Sequence, residues 1–311
     1  MASALCIPPS FARPTETPLR CYSHGISAKF RQFSLSSRHE TLVEIQNSGV
    51  IACLRAQSGQ LAMEAACAAL RGGISMLEVV VSTPGVFEVI TALTKDHPSS
   101  IIGAGTILNA KDATCAINAG AKFLMSPATI KEILIDLRGS SVLYIPGVMT
   151  PTEVLSAYNA NAEIVKVYPV TSLGGPHYIS AIKKPFSNIP MVASQGITID
   201  TMESYIHAGA SAVVLSDAIF EKEAMRRQDF DAISQLASLA ASRGRAALHR
   251  LRSSTIANLY RFHENGRDVY PAMDVGELMC HGSPLFFLNM PKVTWVENLK
   301  FPPDHFENKV V

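Results

Sequence analysis

Two charged residues stand inside apolar runs, where burial of a charge is disfavoured. Lys166 lies in 163–168 (EIVKVY) and Glu78 in 76–81 (MLEVVV). If each run is a strand, alternate side chains share a face. Ile164, Lys166 and Tyr168 then share one face, and Val165 and Val167 the other. In the second run Leu77, Val79 and Val81 share one face, and Met76, Glu78, Val80 and Ser82 the other. The wholly apolar faces suit packing against helices, which turns Lys166 and Glu78 toward an interior. An unpaired buried charge is costly, so such residues are rarely accidental. Two readings are open. One is structural: a buried Lys166–Glu78 ion pair, or a lysine at a rim reaching water. The other is chemical. Burial favours the neutral form of an amine, a neutral amine attacks carbonyls, and a carboxylate nearby can carry the protons of Schiff-base chemistry.

The elements that would hold these residues follow a regular rhythm. Apolar or β-branched runs occur at 50–54, 76–81, 100–104, 121–125, 142–146, 163–168, 190–194 and 211–215. Helix-like stretches such as QLAMEAACAALRGG and TMESYIHAGA lie between them. Several end in glycine just before the next run: Gly72-Gly73, Gly120 and Gly209. Glycine there is the usual left-handed stop after a helix. The phrase Ala-Gly-Ala recurs at 119–121 and 208–210, a weak internal repeat of one helix–strand unit. Alternation of strand and helix argues for parallel strands covered on both faces. Eight such units predict an α/β fold of the (β/α)8 barrel (TIM-barrel) kind. A doubly wound open sheet is the rival, but no GxGxxG follows the first run. In a barrel, chemistry gathers at the C-terminal ends of the strands.

Composition narrows the partners. The chain has 311 residues, 48% of them hydrophobic and 17% charged, which excludes a disordered chain. There are 27 basic and 26 acidic residues, for a formal net charge of +1. No overall field draws in nucleic acid or an anionic membrane, so a small molecule is the expected partner. No apolar run approaches the roughly 18 residues that would span a bilayer. The six cysteines are scattered without CxxC spacing, which suits a reducing compartment.

The motifs themselves are specific when taken in order. They are 50–55 (VIACLR), Gly72-Gly73 leading to Leu77-Glu78-Val79, 102–106 (IGAGT), Ser126-Pro127, 145–153 (IPGVMTPTE), 165–169 (VKVYP) and 174–188 (GGPHYISAIKKPFSN). With these phrases the segment 49–220 resembles the 2-keto-3-deoxy-6-phosphogluconate / 4-hydroxy-2-oxoglutarate aldolases, class I aldolases of the (β/α)8 fold. The resemblance implies that Lys166 is the Schiff-base lysine and Glu78 the general acid/base. It implies that Thr106 and Pro127 line the pyruvyl half of the site. It sets Arg55 against the substrate carboxylate, for which a guanidinium's paired donors are suited; a rim ion pair is the alternative for Arg55. It also implies a lyase that works without metal or other cofactor, commonly as a homotrimer. Among the nine histidines no HxH or HxxxH pair occurs.

The far end of the site departs from the family. Where members usually carry Thr-Gly-Gly after the seventh strand, this chain has Ser194-Gln195-Gly196. Where they carry Gly-Ser after the eighth, it has Ser216-Asp217. Ser194 and Gly196 remain candidates for the substrate's distal end. Asp217 brings the wrong sign for a phosphate: at about 5 Å the repulsion is roughly 3 kcal/mol at an effective dielectric near 20. Alternatively Asp217 caps the helix that follows. The expected activity is cleavage of a 2-oxo-3-deoxy acid, such as 2-keto-3-deoxy-6-phosphogluconate, to pyruvate and an aldehyde. The alternatives are an unphosphorylated acid such as 4-hydroxy-2-oxoglutarate, or a non-catalytic barrel that binds a small carboxylate.

The ends read differently from the middle. Residues 1–41 hold seven serines among the first forty and a single acid, Glu16, before Glu40; basic residues and early prolines accompany them. That composition predicts a disordered transit peptide for the chloroplast, with the mitochondrion as the alternative. The barrel is expected over 42–243. Residues 244–311 break the rhythm and are expected to form an irregular, poorly ordered extension.

Overall fold

The computed structural model describes residues 26–264. Its chain runs α1 (Ile26–Ser48), β1 (Val50–Leu54), α2 (Gly59–Arg71), β2 (Met76–Val80), α3 (Val86–Asp96), β3 (Ile101–Gly105), α4 (Ala110–Asn118), β4 (Phe123–Met125), α5 (Lys131–Asp136) and β5 (Leu143–Ile145). It continues through β6 (Gly147–Val148), α6 (Pro151–Asn159), β7 (Val165–Val167), α7 (Pro176–Lys183), β8 (Met191–Ser194), α8 (Met202–His207), β9 (Ala212–Leu215), α9 (Lys222–Arg227) and α10 (Phe230–Glu264). The helices start where their caps say they should. Ser58 accepts the Leu61 N–H at 3.2 Å, and Asn109 that of Asp112 at 2.9 Å. Thr150 and Glu153 form a reciprocal capping box at the start of α6. Gly120 and Gly209, the centres of the repeated Ala-Gly-Ala, both take positive φ.

All strand pairs are parallel, in the order β5-β4-β3-β2-β1-β9-β8-β7-β6. The two outer strands of that order are consecutive in the chain, separated by Pro146 alone. Proline has no N–H for a ladder, so one stave is broken into β5, paired with β4, and β6, paired with β7. The chain itself thus closes eight staves into the (β/α)8 barrel. The alternation of faces is as expected. Val165, Val167, Leu77 and Val79 pack in the layer under the helices, whereas Ile164 and Met76 belong to the barrel interior.

Two expected boundaries move. Residue 41 falls inside α1, not at the edge of a disordered leader. The last turns of α1 close the N-terminal end of the barrel: Thr41 is buried, and Ile45 is fully buried against the interior cluster of Ile51, Met76, Phe123 and Leu143. Ile45 itself lies within the expected 42–243; what moves is the start of the helix that carries it, at Ile26. Residues 1–25, which carry most of the expected targeting signal, lie outside the described residues. At the other end, α10 passes straight through residue 244. Ala247 and Leu248 are buried. Arg243 pairs with Asp200 and Arg250 with Glu203, each within 2.7 Å. The expected break at Gly244 is instead a close approach, where an added Cβ would come within 2.7 Å of the Ser48 carbonyl oxygen. This compact unit ends at Ala257, and a second unit begins at Asn258. The extension expected beyond residue 264 lies outside the described residues.

If α1 belongs to the core, Ile45→Ala should lower the unfolding free energy by about 2–5 kcal/mol. Denaturant titration measures it, and a variant as stable as its parent would detach α1 from the barrel.

Candidate active site

Lys166 is the central residue of β7 and Glu78 that of β2. Four steps separate these staves in either direction around an eight-stave barrel. The two side chains therefore rise from opposite walls into one interior. Both are buried, Lys166 at 6% exposure and Glu78 at 1%. No ion pair within 4.0 Å joins them, so the buried salt bridge of the structural reading is not formed. The Lys166 ammonium nitrogen lies 5.6 Å from the centroid of the Tyr168 ring, within range of the ring face.

Glu78 is held by what its neighbours lack. Its carboxyl group occupies the place where a side chain on Gly105 would begin: an added Cβ there would overlap Oε1. Oε2 is buried with no hydrogen-bond partner. A buried orphan of this kind calls for an explanation, and a reacting group is one. On the near side β1 sets Cys53 in register with Glu78. Burial, and then the Glu78 carboxylate, push the Cys53 thiol well above its usual range. This cysteine was not singled out as a candidate from the sequence. Alternation would have found it, since Ile51, Cys53 and Arg55 share one parity in β1 and its extension.

The remaining candidates ring the same rim, each at or just past the C-terminal end of a strand. Thr106 follows β3 with φ of 58°, an uncommon conformation for a β-branched residue. Strain of that kind costs on the order of 1–3 kcal/mol and gathers at functional sites. Ser126 and Pro127 follow β4. The Ser126 hydroxyl donates to the Ile107 carbonyl at 2.5 Å and accepts from the Tyr144 hydroxyl at 2.9 Å. Burial holds the Tyr144 hydroxyl above the usual phenol range, so it remains a donor. This network ties together the loops that carry Thr106 and Pro127. Gly147 completes it, because a Cβ there would run into the Pro127 backbone. Arg55 is exposed one residue past β1. Among the described residues no carboxylate pairs with it, so the rim ion pair is absent. Among the described residues, no three His, Cys, Asp or Glu side chains gather as a metal site would require.

The distal end is built differently. Ser194 is buried at the end of β8, and its carbonyl accepts the Val170 N–H at 3.0 Å. Gln195 takes φ of 89° and accepts the Thr171 hydroxyl on Oε1 at 2.5 Å. Gly196 is packed on the same Thr171, whose hydroxyl oxygen would lie 2.5 Å from an added Cβ. Asp217 does not cap a helix. Glu221 caps α9, accepting the Ala224 N–H at 2.8 Å, while Asp217 is exposed and pairs with Lys222 at 3.7 Å.

A parallel (β/α)8 barrel with a buried amine and a buried carboxyl group facing each other below its C-terminal rim defines a barrel enzyme of carbonyl chemistry. The family model described as "KDPG and KHG aldolase" matches residues 43–236. The chain belongs to the KDPG and KHG aldolase family, and it is accordingly a carbon–carbon lyase. It is 28% identical over 176 residues to the KHG/KDPG aldolase of Escherichia coli K12, covering 57% of this chain and 83% of that one. It is 31% identical over 185 residues to the 2-dehydro-3-deoxy-phosphogluconate aldolase of Pseudoalteromonas atlantica, covering 58% and 83%. Among solved structures it is similar to the KDPG aldolase of Legionella pneumophila, described with pyruvate captured as a covalent carbinolamine intermediate. The TM-score is 0.60 at 27% identity, over 63% of this chain and 95% of that one.

The fit between Glu78 and Gly105 yields a test. A Gly105→Ala substitution should displace the carboxyl group and cut turnover by about 100-fold or more, the usual share of general acid–base catalysis. Capture of pyruvate on Lys166 by borohydride, read by mass spectrometry, should persist. Undiminished turnover in Gly105→Ala would mean that Glu78 does not need this seat.

Proposed function

We propose that this enzyme cleaves a 4-hydroxy-2-oxo acid to pyruvate and an aldehyde through a Schiff base on Lys166, with Glu78 moving the protons. The supporting observation is the pair itself: a buried lysine and a buried carboxyl group from opposite staves, neither in an ion pair among the described residues. The neutral Lys166 amine adds to the C2 ketone, and loss of water leaves a protonated imine. Glu78 removes the proton of the C4 hydroxyl. The C3–C4 bond breaks, its electron pair passes into the C2–C3 bond, and the iminium becomes a neutral enamine as the aldehyde leaves. Protonation at C3 restores the iminium, and water then releases pyruvate and the free amine. Arg55, exposed at the rim with no carboxylate partner among the described residues, is the group we assign to the substrate carboxylate. Thr106 and Pro127, fixed by the Ser126–Tyr144 network, form the wall beside the pyruvyl carbon atoms. Incubation with pyruvate and borohydride should give a reduced adduct mapping to Lys166. An adduct on another lysine, or none in protein that turns over, would refute the assignment.

For the distal end we infer an unphosphorylated acid rather than a phosphorylated one. The supporting observations are the Gln195–Thr171 hydrogen bond, which occupies the loop where Ser194 and Gly196 would meet the distal group, and the carboxylate of Asp217. Asp217 is largely exposed, so its repulsion is closer to the aqueous limit, about 0.8 kcal/mol at 5 Å. Asp217→Ser should therefore raise kcat/KM for the phosphorylated acid about fourfold, with little change for the unphosphorylated one. A parent enzyme that prefers the phosphorylated acid by orders of magnitude, unaltered by Asp217→Ser, would reverse this reading.

A homo-oligomer and import into a plastid belong to the same proposal. Exposed Met149, Leu155 and Tyr158 on and beside α6 support the first. The hydroxyl-rich, acid-poor composition of residues 1–25 supports the second.

A further inference from the structure

The mechanism above leaves one titratable group beside Glu78 unused, the half-buried Cys53. Cys53 is the register partner of Glu78 on the adjacent parallel strand. Its parity matches that of Ile51, an interior residue, and it packs on the interior cluster. Side chains of register partners in parallel strands stand side by side on one face. The charges of Glu78, Lys166 and Arg55 all reach the thiol. Oε2 of Glu78 is buried without a partner, and Oε1 is the oxygen seated over Gly105.

We propose that Cys53 is a positioning residue, whose S–H donates to Oε1 of Glu78 and leaves Oε2 as the oxygen that moves protons. Three features make the thiol suited to that role. It is small enough to stand beside the carboxyl group without filling the space before Lys166. It is a weak donor, so it orients the carboxylate without disabling it as a base. Its burial keeps it protonated, because a thiolate could not donate and would repel the carboxylate. The same burial argues against Cys53 as a second nucleophile competing with Lys166. The inference rests on the aldolase reading.

The test separates proton transfer from imine formation. Exchange of the pyruvate methyl protons in D2O, followed by proton NMR, reports the step assigned to Glu78. Borohydride trapping of pyruvate reports imine formation on Lys166. In Cys53→Ala, exchange and cleavage turnover should fall about tenfold, the scale of one hydrogen bond to a charged group, while trapping and KM change little. Cys53→Val, which keeps the bulk without the donor, should behave likewise and guards against a packing defect in the alanine variant. Cys53→Ser restores a donor and should recover most of the exchange rate. Exchange at the parent rate in both apolar variants would overturn the proposal. So would a serine variant as slow as alanine. A parent enzyme that neither exchanges nor traps would instead bring down the aldolase reading itself, and this inference with it.

Discussion

Two ionisable side chains share a dry interior without neutralising each other, and much of the site follows from that constraint. Taking an amine and a carboxyl group out of water is costly. A direct ion pair would offset part of the cost, but it would also consume the amine lone pair that carbonyl chemistry needs. The barrel instead sets Lys166 and Glu78 on opposite staves. Each has a neighbour of its own: the Tyr168 ring near Lys166, and Cys53 in register with Glu78 on the adjacent strand. The space between them comes from glycine. Gly105 leaves room for the carboxyl group, and Gly147 lets the Pro127 loop fold over the stave beside β7. Below the pair, Ile51, Met76, Phe123, Leu143 and Ile164 fill the barrel, and Ile45 of α1 seals its end. An apolar plug keeps water from reaching the pair from below, so substrate and solvent share one entrance at the rim.

Much of this was legible in the sequence, for reasons of period. A two-residue alternation is enough to say which side chains of β2 and β7 face inward, and a charge at such a position stands out against the apolar residues around it. The eight-unit rhythm was legible because several helices have a capped start, as at Ser58, Asn109 and Thr150, and several a glycine stop, as at Gly73, Gly120 and Gly209. What escaped has a common cause. Cys53 is small and uncharged, so nothing in its type marked it, although its parity with Ile51 did. The Tyr144–Ser126 network joins positions eighteen residues apart, one on β5 and the other just past β4. Helix α1 begins at Ile26, within a segment whose average composition is that of a leader, although the residues that seal the barrel, Leu42 and Ile45, follow that segment. The break of one stave at Pro146 changes the strand count without changing the barrel, because the chain crosses the gap itself.

The rim divides into two halves held by different means. On the β3–β4 side, Thr106 is kept at positive φ beside a buried hydrogen-bond chain from Tyr144 through Ser126 to Ile107. On the β7–β8 side, Gln195 is also at positive φ, but its partner is the exposed Thr171, a contact on the surface. Strain held by a buried network persists only if the surroundings over-determine it. Strain held by an exposed hydrogen bond can relax at much smaller cost, since water replaces the partner.

This asymmetry matches what the two halves must do. In the proposed mechanism the pyruvyl end is the same in every turnover, because the carbon atoms that would bond to Lys166 and lose or gain a proton do not vary with the aldehyde. A rigid wall there holds a reacting geometry that tolerates little displacement. The distal end meets whatever the aldehyde carries, and its recognition rests on surface groups whose charges water attenuates. Substitutions at Gln195 or Asp217 can therefore alter the distal contacts without disturbing Lys166, Glu78 or the network beneath Thr106. A barrel built this way can change its acceptor while keeping its chemistry, because the side-chain contact that holds Gln195 is the exposed one to Thr171, apart from the buried network beside Thr106.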